Sequence, residues 1–223
     1  MQNRYAGDIG DFGKFGLLRN LVGSQDWKLG VVWYLFPEDK YNDDGRFIKY
    51  LGKSKFSKCD FDLHNKLEKI VSTERSISAL EKAGILSPNT VYYSETVDFY
   101  QQFPGRTKIN KKKRLRCREK WLSEALKKVQ KCNAVFLDPD NGLEIDSCKK
   151  LTQKRSGKYA YFDEIKKLFK GKHICIIYHH LNRHRNHGTH SEQIYNRAIS
   201  LRRKINPTGK IFAVRFKTYS PRA

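Results

Sequence analysis

Five short apolar segments recur along the chain, and each has the length of a β-strand. They are continuously apolar and rich in β-branched or aromatic residues, which is typical of strands covered on both faces. The predicted strands are residues 29–36, 89–94, 133–138, 173–179 and 210–216. Helical spacing of apolar residues occurs at residues 12–22, 61–83, 119–130, 161–169 and 191–204.

This alternation of strands and helices predicts an α/β fold. We expect a three-layer sandwich with a central, mainly parallel sheet of about five strands. No internal repeat and no linker rich in Pro, Gly or Ser divides the sequence, so residues 1–223 are expected to form a single domain. Open parallel sheets bind ligands beyond the carboxyl ends of their strands. The residues that follow each predicted strand are therefore the first candidates for a functional site.

The charge of the chain is strongly positive, with 45 Lys and Arg against 23 Asp and Glu and a net charge of +22. This imbalance favours a nucleic-acid partner, because each neutralised phosphate releases counterions. The sequence contains no apolar run of membrane-spanning length, no secretory signal and no C-x-x-C pair. We expect a cytoplasmic protein without a membrane partner, and the oligomeric state stays open.

Basic residues cluster in two segments, residues 106–120 and 149–158. Like charges so close together repel one another and usually lie on a solvated face. In this chain we predict that both segments are surface arms that follow phosphates and become ordered on nucleic acid. The predicted phosphate-binding residues are Lys14, Lys111, Lys112, Lys113, Arg114, Arg116, Arg118, Lys154, Arg155, Arg183 and Arg185.

The third predicted strand ends in the sequence LDPDNGLE. It delivers Asp138 at its tip, and Pro139 ends the strand because proline has no N–H to donate. Asn141 and Gly142 complete a turn in which Gly142 is expected at positive φ. Asp138 either caps this turn or provides a carboxylate that orients a water molecule or contacts a base edge.

The fourth predicted strand leads into five of the seven histidines, at positions 179, 180, 184, 187 and 190. At least one of His179 and His180 is expected to point into the crevice, with a pKa near its ordinary value, and to donate a proton or stabilise an anion. The three later histidines lie among Arg and Asn residues without nearby Cys or carboxylate ligands. A basic loop is expected there and no metal site.

The sequence YAGDIGDFGKFGLLR, residues 5–19, places glycines at regular intervals ahead of a predicted helix. No strand precedes it, so it is not a dinucleotide-binding fingerprint. One interpretation is structural: Asp11 caps the helix and Asp8 has no role in the cap. The other is that the loop folds over the strand tips and brings Asp8 or Asp11 towards Asp138 and His179.

The segment at Asp138-Pro139 and the later His179 or His180 resemble, in this order, the two motifs of the uracil-DNA glycosylase superfamily. The resemblance implies a DNA glycosylase that needs no cofactor and hydrolytically excises an extruded, normal or modified base. By this resemblance Asp138 and Asn141 would orient water, His179 or His180 would assist the departing base, and Asp8 or Asp11 would contact base or sugar.

The sequence also supports other resemblances and other hypotheses about function. The LDPDNG segment and the head of the chain are similar to motifs of amino-methylating enzymes, including ribosomal-RNA adenine methyltransferases, which implies S-adenosylmethionine as cofactor. The pattern N-R-Y-x-G-D-I-G-D-F-G-K, D-P-D-N-G and Y-H-H-L also resembles a bacterial family, and small basic families of this kind include glycosylases of phage defence. A nuclease with Mg²⁺ at Asp8, Asp11 and Asp138, or a non-catalytic nucleic-acid-binding module, are further alternatives.

Overall fold

The computed structural model describes residues 1–23, 25–38, 45–148, 153–182, 187–206 and 208–216. Four parallel strands form the central sheet, and two very short strands pair beside it. In chain order the strands are β1 (Leu29–Val32), β2 (Val91–Tyr93), β3 (Ala134–Leu137), β4 (Gly142–Leu143), β5 (Tyr159–Ala160) and β6 (Ile174–Ile177).

Helices precede, connect and follow these strands. The α-helices are α1 (Ile9–Gly23), α2 (Ser54–Cys59), α3 (Phe61–Ser72), α4 (Ile77–Lys82), α5 (Lys108–Lys128), α6 (Phe162–Phe169) and α7 (His190–Ile205), and short 3₁₀ helices span Asn3–Tyr5 and Lys154–Lys158. Within the described residues, no helix is both long and apolar enough to cross a membrane.

The sheet has a hydrophobic core on each of its two faces. Phe15 of α1 and Leu67 of α3 belong to the core on one face. Trp121 of α5 and Ile165 of α6 belong to the core on the other. Gly30 in the middle of β1 allows close packing there, because a Cβ at this position would lie 2.8 Å from Cγ1 of Val129. The predicted three-layer α/β sandwich with a parallel sheet is therefore confirmed.

The strand order β2-β1-β3-β6 creates a switch point between β1 and β3. The chain goes to β2 on one side of β1, and returns through α5 to β3 on the other side, with Val31 paired to both Tyr92 and Phe136. Ligands of open α/β sheets bind at such switch points, outside the carboxyl ends of the strands. Asp138 follows β3 directly and lies at this edge.

The predicted fifth strand, residues 210–216, is not a strand of the sheet in the part of the chain that the structure describes. Phe212 is 82% exposed and Val214 is 49% exposed, so two of its apolar side chains do not pack. The sheet thus has four strands instead of about five. Apolar composition alone does not distinguish a buried strand from an extended surface segment.

Two helices also differ from their predicted bounds. The predicted helix over residues 61–83 is broken into α3 and α4, because the Ser76 hydroxyl accepts the N–H of Ala79 at 3.0 Å and starts a new helix. Helix α5 begins at Lys108 rather than at residue 119. It begins there because the Thr107 hydroxyl accepts the N–H of Asn110 at 3.2 Å and caps the helix. The basic segment predicted as an arm is therefore largely helical.

Candidate functional site

A pocket lies at the carboxyl edge of the sheet, beside the switch point. Its cavity volume is about 20 Å³, which is room for about one water molecule. Ligand sites are usually clefts of about 300–1,000 Å³, so this pocket is small. Its lining residues are Met1, Tyr5, Asp8, Lys14, Asp138, Pro139, Asp140, Tyr178 and His180.

Helix α1 enters this site through a reciprocal cap. Asp8 Oδ1 accepts the N–H of Asp11 at 3.0 Å, and Asp11 Oδ2 accepts the N–H of Gly7 at 2.8 Å. The arrangement resembles a capping box, with Asp8 in the N-cap position. The interpretation in which Asp11 is the cap and Asp8 has no role is therefore wrong, because Asp8 is the N-cap and Asp11, in the first turn, only completes the arrangement.

Lys14 connects the start of α1 to the end of β3. Its Nζ lies 2.7 Å from Asp11 Oδ1 and 2.7 Å from Asp138 Oδ2. The same Nζ lies 4.7 Å from the centroid of the Tyr178 ring. The expectation that Asp8 or Asp11 approaches Asp138 and His179 is supported only for Asp11 and Asp138, because His179 instead accepts the N–H of Leu143. Lys14 was predicted to bind phosphate at the surface. This prediction is wrong, because Lys14 is only 4% exposed.

Burial and charge set the protonation states of this cluster. Burial would lower the pKa of Lys14, but Asp11 and Asp138 outweigh it and raise that pKa above its ordinary value. Lys14 therefore remains an ammonium group. Burial raises the pKa of Asp11 to about 6, opposed by Lys14 and assisted by Asp8. Asp11 is fully buried and does not line the pocket, whereas Asp8 does.

Asp140 forms a second ion pair at the pocket, with Lys158 Nζ at 2.8 Å from its Oδ2. Burial would raise the pKa of Asp140, but the Met1 amino group and Lys158 lower it below its ordinary value. The Met1 amino group donates to the Tyr34 carbonyl oxygen at 2.7 Å. Asp140 is therefore ionised and accepts hydrogen bonds only.

The two histidines after β6 have different environments. His180 lines the pocket, and its ring lies edge-on to Tyr178 at 5.4 Å between centroids. His179 is 8% exposed, and its Nδ1 accepts the N–H of Leu143 at 3.0 Å. Burial and the nearby Arg197 lower the pKa of His179 to about 4. The prediction of a histidine with an ordinary pKa is therefore wrong for His179, which stays neutral and holds the turn.

Asn141 and Gly142 belong to the turn rather than to the pocket lining. The Asn141 side chain is hydrogen-bonded to the Tyr159 hydroxyl group. Gly142 has φ +92°, as predicted, and a Cβ there would lie 2.1 Å from His179 Nδ1. The predicted water-orienting role of Asn141 has no support from this position, because the side chain contacts β5.

Two of the predicted phosphate-binding residues, Arg114 and Arg118, are each only 1% exposed. Arg118 Nε lies 2.6 Å from Glu164 Oε1, and Arg118 also donates to the Tyr159 carbonyl at 2.9 Å. Arg114 donates to the Gly105 carbonyl at 3.0 Å. Both predictions are corrected, because a helix packed on a sheet turns every third or fourth side chain inward.

The other predicted phosphate-binding residues of these two segments are exposed. The helices that connect parallel strands run antiparallel to them, so the first turns of α5 lie at the carboxyl edge of the sheet, the edge that also carries the pocket. Arg118 donates to the Ser156 carbonyl at 3.3 Å and so brings the second 3₁₀ helix against α5. We define the basic rim as the exposed residues Lys111, Lys112, Lys113, Arg116, Lys154 and Arg155. Their contact with nucleic acid stays a prediction.

Charge is distributed unequally between the two helical layers. Helices α5, α6 and α7 carry 16 Lys and Arg against five Asp and Glu. Helices α1 to α4 carry seven against four. The positive potential is therefore concentrated on the layer that carries the rim residues of α5.

Some of the predicted residues are not described by the structure, and the described ones form no metal site. Arg183, Arg185 and His184 lie outside the described residues. Among the described His, Cys, Asp and Glu side chains, no group could hold a metal ion. In the nuclease alternative, Mg²⁺ would lie between Asp11 and Asp138, and this position is occupied by the ammonium group of Lys14.

Comparisons with protein-family models, with curated proteins and with solved structures found no match to this chain. Its function is therefore argued from the pocket and its surroundings. Sequence reasoning missed the roles of Lys14, Lys158 and Glu164 as ion-pair partners. The three-residue spacing of Asp11 and Lys14 was a usable signal, because residues i and i+3 are neighbours on a helix.

Proposed function

We propose that this protein is a DNA glycosylase that needs no cofactor and excises an extruded base by hydrolysis. The observation that carries the proposal is the contrast between the pocket and its surroundings. The pocket is lined by three carboxylates, Asp8, Asp138 and Asp140, against the Lys14 ammonium group and the Met1 amino group, within a protein of net charge +22. Exposed basic side chains lie on the neighbouring helices.

This difference in charge between the pocket and the surrounding helices suits an enzyme that binds DNA, a polyanion, and removes an uncharged base from it. Phosphates bind the basic rim, because counterion release favours them there. In the pocket, the three carboxylates outnumber the Lys14 ammonium group and the Met1 amino group, so a phosphate is less favoured there than a neutral base and its sugar. Enzymes that act on a base take it out of the stack and into such a pocket. The charge distribution therefore favours chemistry at the base over chemistry at the phosphodiester.

The chemistry follows from the charge that develops during base departure. Cleavage of the glycosidic bond leaves an oxocarbenium-like sugar, which a nearby carboxylate stabilises. Asp138 is assigned this role, and orients the attacking water, because it lies at the tip of β3 and lines the pocket. His180 is assigned to the departing base, since it lines the same pocket.

The pocket is smaller than typical ligand sites, so a base requires it to widen. Side chains at its mouth must rearrange on DNA binding, as in other base-flipping enzymes whose pockets form around the extruded base. This expectation distinguishes the proposed enzyme from a non-catalytic module, which would bind DNA on the rim and leave the pocket unchanged.

The experiment is an excision assay with purified protein and labelled DNA, without added cofactor. The DNA contains normal bases, uracil and hypermodified bases of the kind used by phages, since defence against phages is the biological setting proposed. Alkali then cleaves abasic sites. We expect alkali-labile sites with the wild type and a loss of at least about 10²-fold with Asp138→Asn.

Asp146→Asn is the matched control, because Asp146 is an exposed aspartate on the same connection and does not line the pocket. It should retain wild-type excision. No abasic sites on any substrate would overturn the proposal. Methyl transfer from S-adenosylmethionine by the wild type would assign the pocket to a methyltransferase instead.

A further inference from the structure

A buried ammonium group lies at the floor of the pocket, and the chemistry proposed above does not use it. Lys14 is held by two carboxylates at equal distances of 2.7 Å. An ammonium group on a surface would be hydrated and mobile, but this one is 4% exposed. Its position is therefore determined by the side chains around it.

A continuous series of contacts leads from the start of α1 to the carboxylate at the tip of β3. The Gly7 N–H donates to Asp11 Oδ2 at 2.8 Å, and Asp11 Oδ1 lies 2.7 Å from Lys14 Nζ. Lys14 Nζ then donates to Asp138 Oδ2 at 2.7 Å. The Tyr178 ring covers another side of Nζ at 4.7 Å. Asp138 Oδ2 is thus bonded to Lys14, 124 residues away in the sequence, and through Lys14 and Asp11 it is linked to the start of α1.

We propose that Lys14 is a positioning residue, which orients the Asp138 carboxylate for base excision. This inference rests on the proposed glycosylase function. One ammonium group shared by two carboxylates does not neutralise both when both are ionised, so the cluster retains negative charge. Lys14 therefore fixes the direction of Asp138 while leaving charge to stabilise the sugar.

The test is a double-mutant cycle on the single-turnover excision rate, with Lys14→Met, Asp138→Asn and the double variant. We expect Lys14→Met to lower the rate by about 10²-fold, the effect of a misplaced catalytic group. DNA affinity and its salt dependence should not change, because Lys14 contacts no phosphate. The double variant should be no slower than Asp138→Asn, since Lys14 acts only through Asp138.

Arg19→Met is the matched control, because Arg19 is an ion-paired cation on the same helix, with its Nη2 3.0 Å from Asp62 Oδ2. Its excision rate should equal that of the wild type. Should Lys14→Met fail to fold, Lys14→Arg replaces it in the cycle. The guanidinium group keeps the charge but changes the geometry, so we again expect a loss of rate.

The possible failures are distinguishable. Excision by the wild type together with an unchanged rate in folded Lys14→Met or Lys14→Arg would overturn the role of Lys14 alone. Additive losses in the double variant would also overturn it, because Lys14 would then act independently of Asp138. No excision by the wild type would remove the glycosylase function and this inference with it. Weakened DNA binding by Lys14→Met would assign Lys14 to a phosphate contact instead.

Discussion

His179 is expected to make the stability of the fold depend on pH in a defined direction. Its pKa is about 4 in the folded protein against an ordinary value of 6.5. Protonation therefore favours the unfolded chain. The contribution of neutral His179 to stability is fully present above pH 6.5 and is lost as the pH falls from 6.5 towards 4.

The expected size follows from the difference of about 2.5 between these two pKa values. Each pKa unit corresponds to about 1.36 kcal/mol, so protonation of His179 lowers the free energy of unfolding by about 3 kcal/mol between pH 7 and pH 4. This is a large part of the stability of a typical domain, about 5–15 kcal/mol. Such an effect is measurable by urea unfolding.

The perturbation is His179→Asn, which places Oδ1 near the position of the imidazole Nδ1. The amide oxygen can still accept the N–H of Leu143, but the side chain no longer titrates. Free energies of unfolding are measured in urea for both proteins at pH 4, 5, 6 and 7. Because other groups titrate in both proteins, the informative quantity is the difference between the two free energies at each pH.

We expect the stability of the wild type relative to His179→Asn to fall by about 3 kcal/mol from pH 7 to pH 4. His173→Asn, which removes an exposed imidazole, controls for the loss of a histidine. A difference that stays constant over this range would refute the reasoning, because it would mean that His179 is not held neutral by burial.

Three further predictions concern other parts of the molecule. Asp11 has a pKa of about 6 in the fold against 3.8 ordinarily, so its contribution to stability is lost as the pH rises through this range. Asp11→Asn should therefore gain stability relative to the wild type as the pH rises from 3.5 to 7 in urea unfolding, and no gain would contradict this. Replacing the four rim residues of α5 by Gln should reduce the slope of log K for DNA binding against log salt concentration by up to about 4, measured by fluorescence anisotropy. Gln at Lys127 and Lys128, at the other end of the helix, should change this slope less. Gly142→Ala should lower the free energy of unfolding by more than about 1 kcal/mol, because φ is +92° and the new Cβ would meet His179. Gly84→Ala, at φ +62° with no atom within 4 Å of a Cβ, isolates the backbone contribution, and an equal loss there would show that the contact has no effect.

The strands and layers of this fold were largely predictable from local patterns. Continuous apolar segments identified the four strands of the parallel sheet, and Gly142 was recognised from its turn. The extended segment at residues 210–216 was not distinguished from a strand, since its pattern is the same and only the exposed side chains of Phe212 and Val214 show that it does not join the sheet. An apolar pattern shows which side chains would be stabilised by burial. Whether they are buried depends on another element of the fold that packs against them.

The basic segment at residues 106–120 shows a second limit of local reasoning. Its charge predicted a solvated arm, but Thr107 caps a helix that begins there. In that helix, Arg118 forms an ion pair with the buried Glu164. Charge density along the sequence does not show which cations face inward. That distinction depends on which residue of another element lies opposite.

By itself, the sequence determined the α/β class, the four strands, and the edge of the sheet where polar side chains gather. Only the tertiary structure decided which of these side chains meet. Lys14 was predicted as a phosphate contact, yet it joins Asp11 to Asp138 in the interior. His179 and His180 are adjacent in sequence, yet one holds a turn and the other lines the pocket. The physical reason is that hydrophobic periodicity is local, whereas ion pairs, burial and pKa shifts depend on distances set by the packing of remote elements.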